Sequence, residues 1–281
     1  MMMPMASPTP SLLTSVANPR IKATVALRDR RARDRAGLTL VDGARELRRA
    51  LEAGAEVVEA FVCESLLAGP DARAALDLLR EKAIPVQATS EQVFAKLAFG
   101  ERAEGLLAVV RIPATALDGI ALGPDPLVVV IEGLEKPGNV GAVLRSADGA
   151  GVDAVVAAAP RTDLFNPNVI RASAGTAFTV PLGAAATPEV LAWLRRMGLR
   201  IVAARVEAAR LYSDVDLTGP LAVVLGAEAD GLSDAWTGAD IEAVRLPMLG
   251  VADSLNVSVS AAILVYEARR QRGLPPRPSA R

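Results

Sequence analysis

Apolar residues recur along this chain in two alternating rhythms. Runs such as Leu127–Ile131 and 221–225 are short and unbroken, as in strands buried on both faces, whereas 187–198 (TPEVLAWLRRMG) repeats its apolar positions at helical spacing. In order, the pattern first predicts a basic helix near 19–34, a strand LTLV, a helix ARELRRALEAG ending at Gly54 and a strand VVEAFV. A helix around ARAALDLLREK, a strand near IPVQA, a helix SEQVFAKLA capped by Ser90 and a strand GLLAVVRI follow. Pro and Gly then cluster in RIPATALDGIALGPDP, residues 111–126, and mark a seam. Beyond it come strand PLVVVIE, a helix from Asn139 to Gly149, strand VDAVVAA, a short helix near NPNVIRASA and strand AFTVPL. Helix TPEVLAWLRRMG, strands LRIVAA and PLAVVLG, helix SDAWTGA, strand EAVRLPM and a C-terminal helix complete the reading. Strands alternating with helices predict an α/β fold with a parallel sheet covered on both faces.

Composition narrows the classes. The 281 residues suffice for two domains, and with 51% hydrophobic residues and a mean hydropathy of +0.31 they can bury a sizeable core. The apolar runs fall short of the roughly 20 residues a membrane span needs. The opening MMMPMASPTPS has neither a basic start nor an apolar stretch, so residues 1–14 are expected to be a disordered leader, not a secretory signal. A lone cysteine, Cys63, allows no internal disulfide; it reads as core packing, and a reducing cytoplasm is the simplest home.

Net charge is −1, yet Arg20, Lys22, Arg28, Arg30, Arg31, Arg33 and Arg35 face only Asp29 and Asp34 in NPRIKATVALRDRRARDRAG. This is either a local RNA-facing stripe or a solvated helix face. Aromatic residues are only 3%, which disfavours a base-stacking platform. There is no histidine, so Ser-His-Asp and Cys-His catalysis and histidine-ligated zinc are excluded.

GAGVDA, 149–154, has the G-x-G-x-x-A spacing of dinucleotide sites, but its glycines close a helix and lead into a strand, the reverse of the order that places pyrophosphate on a helix N-terminus. A C-cap is the simpler reading. Three other loops each follow a strand, where open α/β sheets bind ligands. In IEGLEKPGNVGAVLRS, Asn139 is either an N-cap or a site residue, and Arg145 lies six residues further on. VVLGAEADGLS brackets Glu228 with Gly226 and Gly231. LPMLGVADSLNVSVS interleaves Ser254, Asn256, Ser258 and Ser260 with Leu255, Val257 and Val259, an odd start for an apolar helix.

In order and spacing, KPGNVGAVLRSADGAGV, VVLGAEADGLS and LPMLGVADSLNVSVSAAILVYE resemble the three motifs of the SpoU (TrmH-like) class of SPOUT RNA ribose 2′-O-methyltransferases, and the resemblance covers nearly the whole chain. It implies an α/β trefoil-knot domain with a parallel sheet over 127–273, a linker at 113–126, an RNA substrate-binding domain similar to the ribosomal protein L30e-like fold over 15–112, and a loose tail at 274–281. It further implies S-adenosyl-L-methionine held in the knot, with Gly226, Leu246, Met248 and Leu255 lining its pocket. Arg145, Asn139, Glu228, Ser254 and Asn256 become the catalytic set, Glu228 bracing Arg145, with no metal. Arg145 acts as base or as orienting group; since a guanidinium is effectively never deprotonated, orientation is favoured. Arg20, Lys22, Arg30, Arg31 and Arg33 are the expected RNA contacts. The implied protein is a cytoplasmic homodimer methylating ribosomal RNA, ahead of transfer RNA or a non-catalytic role in ribosome assembly, with no membrane or DNA partner.

Overall fold

The computed structural model describes residues 11–99, 104–228 and 230–273. The tail expected at 274–281 and the first ten residues of the expected leader lie outside these. Two compact units divide between Pro113 and Ala114, the first also taking in Phe165–Pro167. No helix among the described residues is long and apolar enough to cross a membrane.

The first unit contains α1 (Pro19–Ala26), α2 (Arg30–Ala36), β1 (Leu38–Asp42), α3 (Ala44–Glu52), β2 (Val57–Val62), α4 (Gly69–Glu81), β3 (Val86–Ala88), α5 (Glu91–Leu97) and β4 (Leu106–Arg111). Its four strands lie in the order β1-β4-β2-β3, β4 antiparallel to both neighbours and β2 parallel to β3. Ile21, Leu40, Phe61, Phe94 and Leu107 fill one core cluster, and Cys63 is buried within it as expected. Residues 11–14, assigned to the leader from sequence, are instead held to this unit. The Leu13 N–H donates to Ala88 O at 2.9 Å, and the Ser90 N–H donates to Leu13 O at 2.9 Å.

The single basic helix expected over 19–34 is two helices. Asp29 interrupts it by accepting from the N–H groups of Arg31 and Ala32 at 2.9 and 3.3 Å, an N-cap that starts α2 anew. This break changes the basic stripe. Arg33 is only 1% exposed, and its Nη1 donates to the carbonyls of Leu27 and Arg28 at 3.0 and 2.8 Å, satisfying backbone groups that the break leaves over. Arg28 likewise donates to Lys96, Leu97 and Ala98 carbonyls at the end of α5. Arg20 pairs with Glu59 at 2.6 Å and lies over the Phe61 ring, while Arg30 faces Asp34 at 3.7 Å. Of the expected RNA contacts, Arg33 is buried while Arg20, Lys22, Arg30 and Arg31 are exposed, Arg20 and Arg30 each beside a carboxylate. Arg33→Ala should lower unfolding free energy by about 2–4 kcal/mol, because two charge-assisted bonds to buried carbonyls are lost; denaturant melts of Arg33→Ala beside Arg31→Ala check this, the latter costing under about 0.5 kcal/mol.

The second unit contains β5 (Leu127–Glu132), α6 (Pro137–Gly149), β6 (Ala154–Ala158), α7 (Pro167–Ala172), β7 (Leu182–Ala185), α8 (Thr187–Arg196), β8 (Arg200–Ala204), β9 (Arg210–Leu211), β10 (Leu221–Leu225), β11 (Ile241–Arg245) and α9 (Val257–Gln271). All seven strands are parallel, in the order β7-β6-β5-β10-β8-β11-β9. Alternate residues of each strand serve opposite faces: Val128, Val130, Val156, Ile201 and Val224 pack with Val190, Trp193 and Leu194 of α8. The other face is covered by α6 and α9, which also pack on each other.

Some boundaries differ from the expectation. The strand expected at AFTVPL begins only at Leu182, since residues 176–178 form a 3₁₀ turn entered through Gly175 at φ +86°. SDAWTGA holds a single 3₁₀ turn, Asp234–Trp236, and β9 was not foreseen. From Ala114 on, the expected linker is part of this unit: Thr115 O accepts from the Ala184 N–H at 2.9 Å, and Ile120 is buried in the core. In the decoy GAGVDA, Gly151 adopts φ +63° just past the end of α6, the C-cap role.

The far end of α9 is fastened as firmly as its start. Arg272, with a side chain 5% exposed, donates to the carbonyls of Asp125 and Leu217 at 3.0 and 3.2 Å and also to Gly219 O. Gln271 brackets the same loop, donating to Val215 O at 3.1 Å and accepting from the Leu217 N–H at 2.8 Å.

Candidate active site

The carboxyl ends of β8, β10 and β11 and the start of α9 enclose a cavity of about 300 Å³. Its walls include Gly226, Leu246, Met248 and Leu255, the four residues expected to line a cofactor pocket, together with Ser254 and Val257. The position follows from the topology: ligands of open α/β sheets sit outside the carboxyl ends of the strands. Gly226 is required by close packing. A Cβ there would stand 2.1 Å from the carbonyl carbon and oxygen of Gly231 and 2.4 Å from Leu232 N. The turn closes on itself through the Gly231 N–H donating to Ala227 O at 2.9 Å.

Asn256 explains the odd start of the last helix. It is the N-cap of α9, its Oδ1 accepting from the Ser258 N–H at 3.0 Å and the Ser258 hydroxyl at 2.6 Å. With the oxygen committed to the cap, the amide nitrogen points away from the helix as a donor. It donates to Asn139 Oδ1 at 3.2 Å and to Glu228 Oε1. One side chain thus joins the starts of α6 and α9 to the turn after β10. Lys136 completes the group, its Nζ 3.0 Å from Glu228 Oε2. That hydrogen bond, aided by the lysine charge and by the two asparagines, holds the Glu228 carboxyl below its ordinary range against the opposing effect of burial.

Arg145 is placed differently from the expectation. It does not brace Glu228; Lys136 does. Six residues along α6 from Asn139 it is turned by about 120° and displaced by about 9 Å, and its exposed guanidinium makes no hydrogen bond or ion pair with any described residue. Ser254, at the cavity wall, is likewise exposed.

Two residues absent from the expected set stand out. Glu132, at the end of β5, is 7% exposed and accepts from Thr187 Oγ1 at 2.7 Å, the Ser233 N–H at 2.8 Å and Ser233 Oγ at 2.9 Å. Burial alone would raise its carboxyl; these donors, together with the Trp236 side chain, outweigh that and hold it below the ordinary glutamate value. Gly141, in α6, packs against the 169–173 segment so closely that a Cβ would meet Ala172 Cβ at 2.5 Å.

Comparison with known proteins agrees with this geometry. Residues 126–266 match the model of the SpoU rRNA Methylase family, and residues 18–108 match that of the MRM3-like substrate binding domain. A 23S rRNA (uridine(2479)-2′-O)-methyltransferase of Streptomyces viridochromogenes is 34% identical over 255 residues, 88% of this chain and 87% of that protein. A crystal structure of an RNA 2′-O ribose methyltransferase is 44% identical, with a TM-score of 0.82 over 93% of this chain and 99% of that one. The SpoU methyltransferase AviRb from Streptomyces viridochromogenes, solved in complex with AdoMet, is 32% identical, with a TM-score of 0.82 over 90% of this chain and 98% of that one. Sequence, fold and the meeting of three distant motifs around one cavity converge, and the chain belongs to the SpoU rRNA methylase family.

Proposed function

We propose that this protein transfers a methyl group from S-adenosylmethionine to a ribose 2′-hydroxyl of ribosomal RNA. The observation that carries the reading is the Asn256 amide, which joins Asn139 and Glu228 beside a cavity walled by Gly226, Leu246, Met248 and Leu255. The cavity fits the cofactor: its size is that of small-molecule sites, its apolar side chains suit an adenine face, and a glycine without room for a Cβ lets main-chain polar groups come close. The relatives' names and the AdoMet-bound neighbour support the same choice. Threading of the last strand and helix through the turn after β10, the knot of this family, is part of the proposal; its support is that Gly226 and Gly231 share one cavity wall with Leu246, Met248 and Leu255.

S-adenosylmethionine supplies a methyl group already activated by a positive sulfur. The chain's own residues orient and stabilise. A carboxylate held below its ordinary range is a weak base, so Glu228 serves to aim Asn256, and the two asparagines with Ser254 position the ribose. Arg145, with no partner among the described residues, binds the target phosphate and stabilises the charge that develops on the 2′-oxygen as its proton passes to solvent water.

Two further assignments belong to this reading. Residues 15–112 grip the RNA, Lys22 and Arg31 contacting phosphates, and the protein works as a homodimer in the cytoplasm. Support for the dimer is the stripe of exposed Val259, half-buried Ile263 and exposed Tyr266 at i, i+4 and i+7 on α9, beside Gly149 of α6. Val259→Arg/Tyr266→Asp should give a monomer in light scattering at a concentration where the wild type is dimeric; a wild-type mass would move the interface elsewhere.

The direct test is purified protein with labelled S-adenosylmethionine and ribosomal or transfer RNA, followed by mapping of ribose methylation. Label in ribosomal RNA alone is expected. Label in transfer RNA alone would change the substrate class, and RNA binding without transfer would favour an assembly factor.

A further inference from the structure

Ser233 lies at the far end of the turn that begins at Gly226, and it is gripped from two sides by charged groups. Its N–H and hydroxyl both donate to the buried Glu132 carboxylate, while its carbonyl accepts from Arg205 Nη2 at 2.8 Å. Arg205 itself forms part of the cavity wall. The neighbouring Leu232 is 7% exposed and packs in the core, so the chain enters this grip from a fixed point. The near end of the turn, by contrast, is set by Gly226 against Gly231. The turn between carries Glu228, whose carboxylate must reach both Lys136 and Asn256.

A buried carboxylate is costly unless each oxygen is satisfied. Oε2 has the Ser233 N–H, and Oε1 shares the hydroxyls of Ser233 and Thr187. Two of these three donors come from one residue 101 positions away, and the Trp236 side chain, three residues beyond it, adds to the stabilisation of the charge, so the carboxylate is well solvated by protein only while Ser233 and the short turn after it stay in place. The third comes from the start of α8 and has no connection with the cavity turn.

We propose that Glu132 is a positioning residue of the cofactor site: with Arg205 acting from the opposite side, it fixes Ser233 and so holds the Gly226–Ser233 turn in the shape that admits S-adenosylmethionine. The inference rests on the proposed function for the identity of the ligand, but the clamp itself does not.

Two readouts on the full chain separate these. In the cofactor-free protein, amide exchange at Gly231 and Ser233 should be at least about tenfold faster in Glu132→Ala than in wild type, with core strand amides of β5 little changed. By calorimetry, the Kd for S-adenosylmethionine should rise about tenfold or more in Glu132→Ala and about threefold or more in Ser233→Ala. Glu132→Gln should recover most of the affinity, since its amide oxygen can take the Ser233 N–H while the two hydroxyls turn to accept. Thr187→Val, which removes the donor on the α8 side, should lower the melting temperature yet leave Kd within about twofold. Should Glu132→Ala fail to fold, the exposed Ser233→Ala decides the question alone. Wild-type affinity and exchange in Ser233→Ala, or an equal loss of affinity in Thr187→Val, would overturn the clamp. Slow exchange at Ser233 in a wild type that binds no S-adenosylmethionine would instead remove the functional reading and leave the clamp standing.

Discussion

Arg145→Ala should reduce methyl transfer at least about a hundredfold while leaving the Kd for S-adenosylmethionine within about twofold. Removing a preorganised group that meets transition-state charge costs 10²–10³ in rate, and Arg145 is absent from the cavity wall, so the cofactor loses nothing with it. The guanidinium is also unengaged by any described residue, so its removal breaks no internal bond and the fold should melt as before. Arg145→Lys keeps the charge but not the planar fork, and should recover only a small part of the rate. Single-turnover kinetics with saturating RNA, beside calorimetry for the cofactor, check both halves. An alanine variant retaining more than a tenth of the wild-type rate would take Arg145 out of the central role.

Gly226→Ala should abolish measurable cofactor binding. Overpacking a tight site usually costs about 1–3 kcal/mol and is relieved by small side-chain shifts. Here the atoms in the way are backbone, Gly231 C and O at 2.1 Å and Leu232 N at 2.4 Å, and they cannot rotate aside. The turn must move bodily, taking Glu228 from Asn256 and opening the wall of the cavity. Gly250→Ala is the matched control, since a Cβ there meets nothing within 4 Å and no positive φ is required. Calorimetry of the two variants should give no detectable heat for the first and a near wild-type Kd for the second. Retained binding by Gly226→Ala would mean that the cofactor does not depend on this turn.

The parallel sheet and the cavity were legible because both rest on signals that are local in sequence. Unbroken apolar runs such as 127–131 and 221–225 announce doubly buried strands, and the glycine, serine and asparagine of three loops stand where strands end. What a linear pattern lacks is direction around a helix and depth below the surface. Arg145 and Asn139 belong to one motif, yet helical rotation sends them to different sides, and the neighbour that braces Glu228 is Lys136. Arg33 reads like its neighbours in RRARDR, although a capping aspartate earlier in the run turns it inward to two carbonyls. Glu132 gave no sign of its part because its partners come from 55 and 101 residues away. Strand β9, two residues long, is too brief for any periodicity to show.

The double anchorage of α9, by Asn256 at one end and by Gln271 and Arg272 at the other, bears on how the protein is made. Residues 271 and 272 come after every strand of the sheet in sequence, yet they hold the helix whose start supplies part of the pocket wall, so a chain must be made as far as Arg272 before both hooks are in place. A stop codon near Tyr266 should therefore yield a product that keeps most of its sheet but no grip on nucleoside.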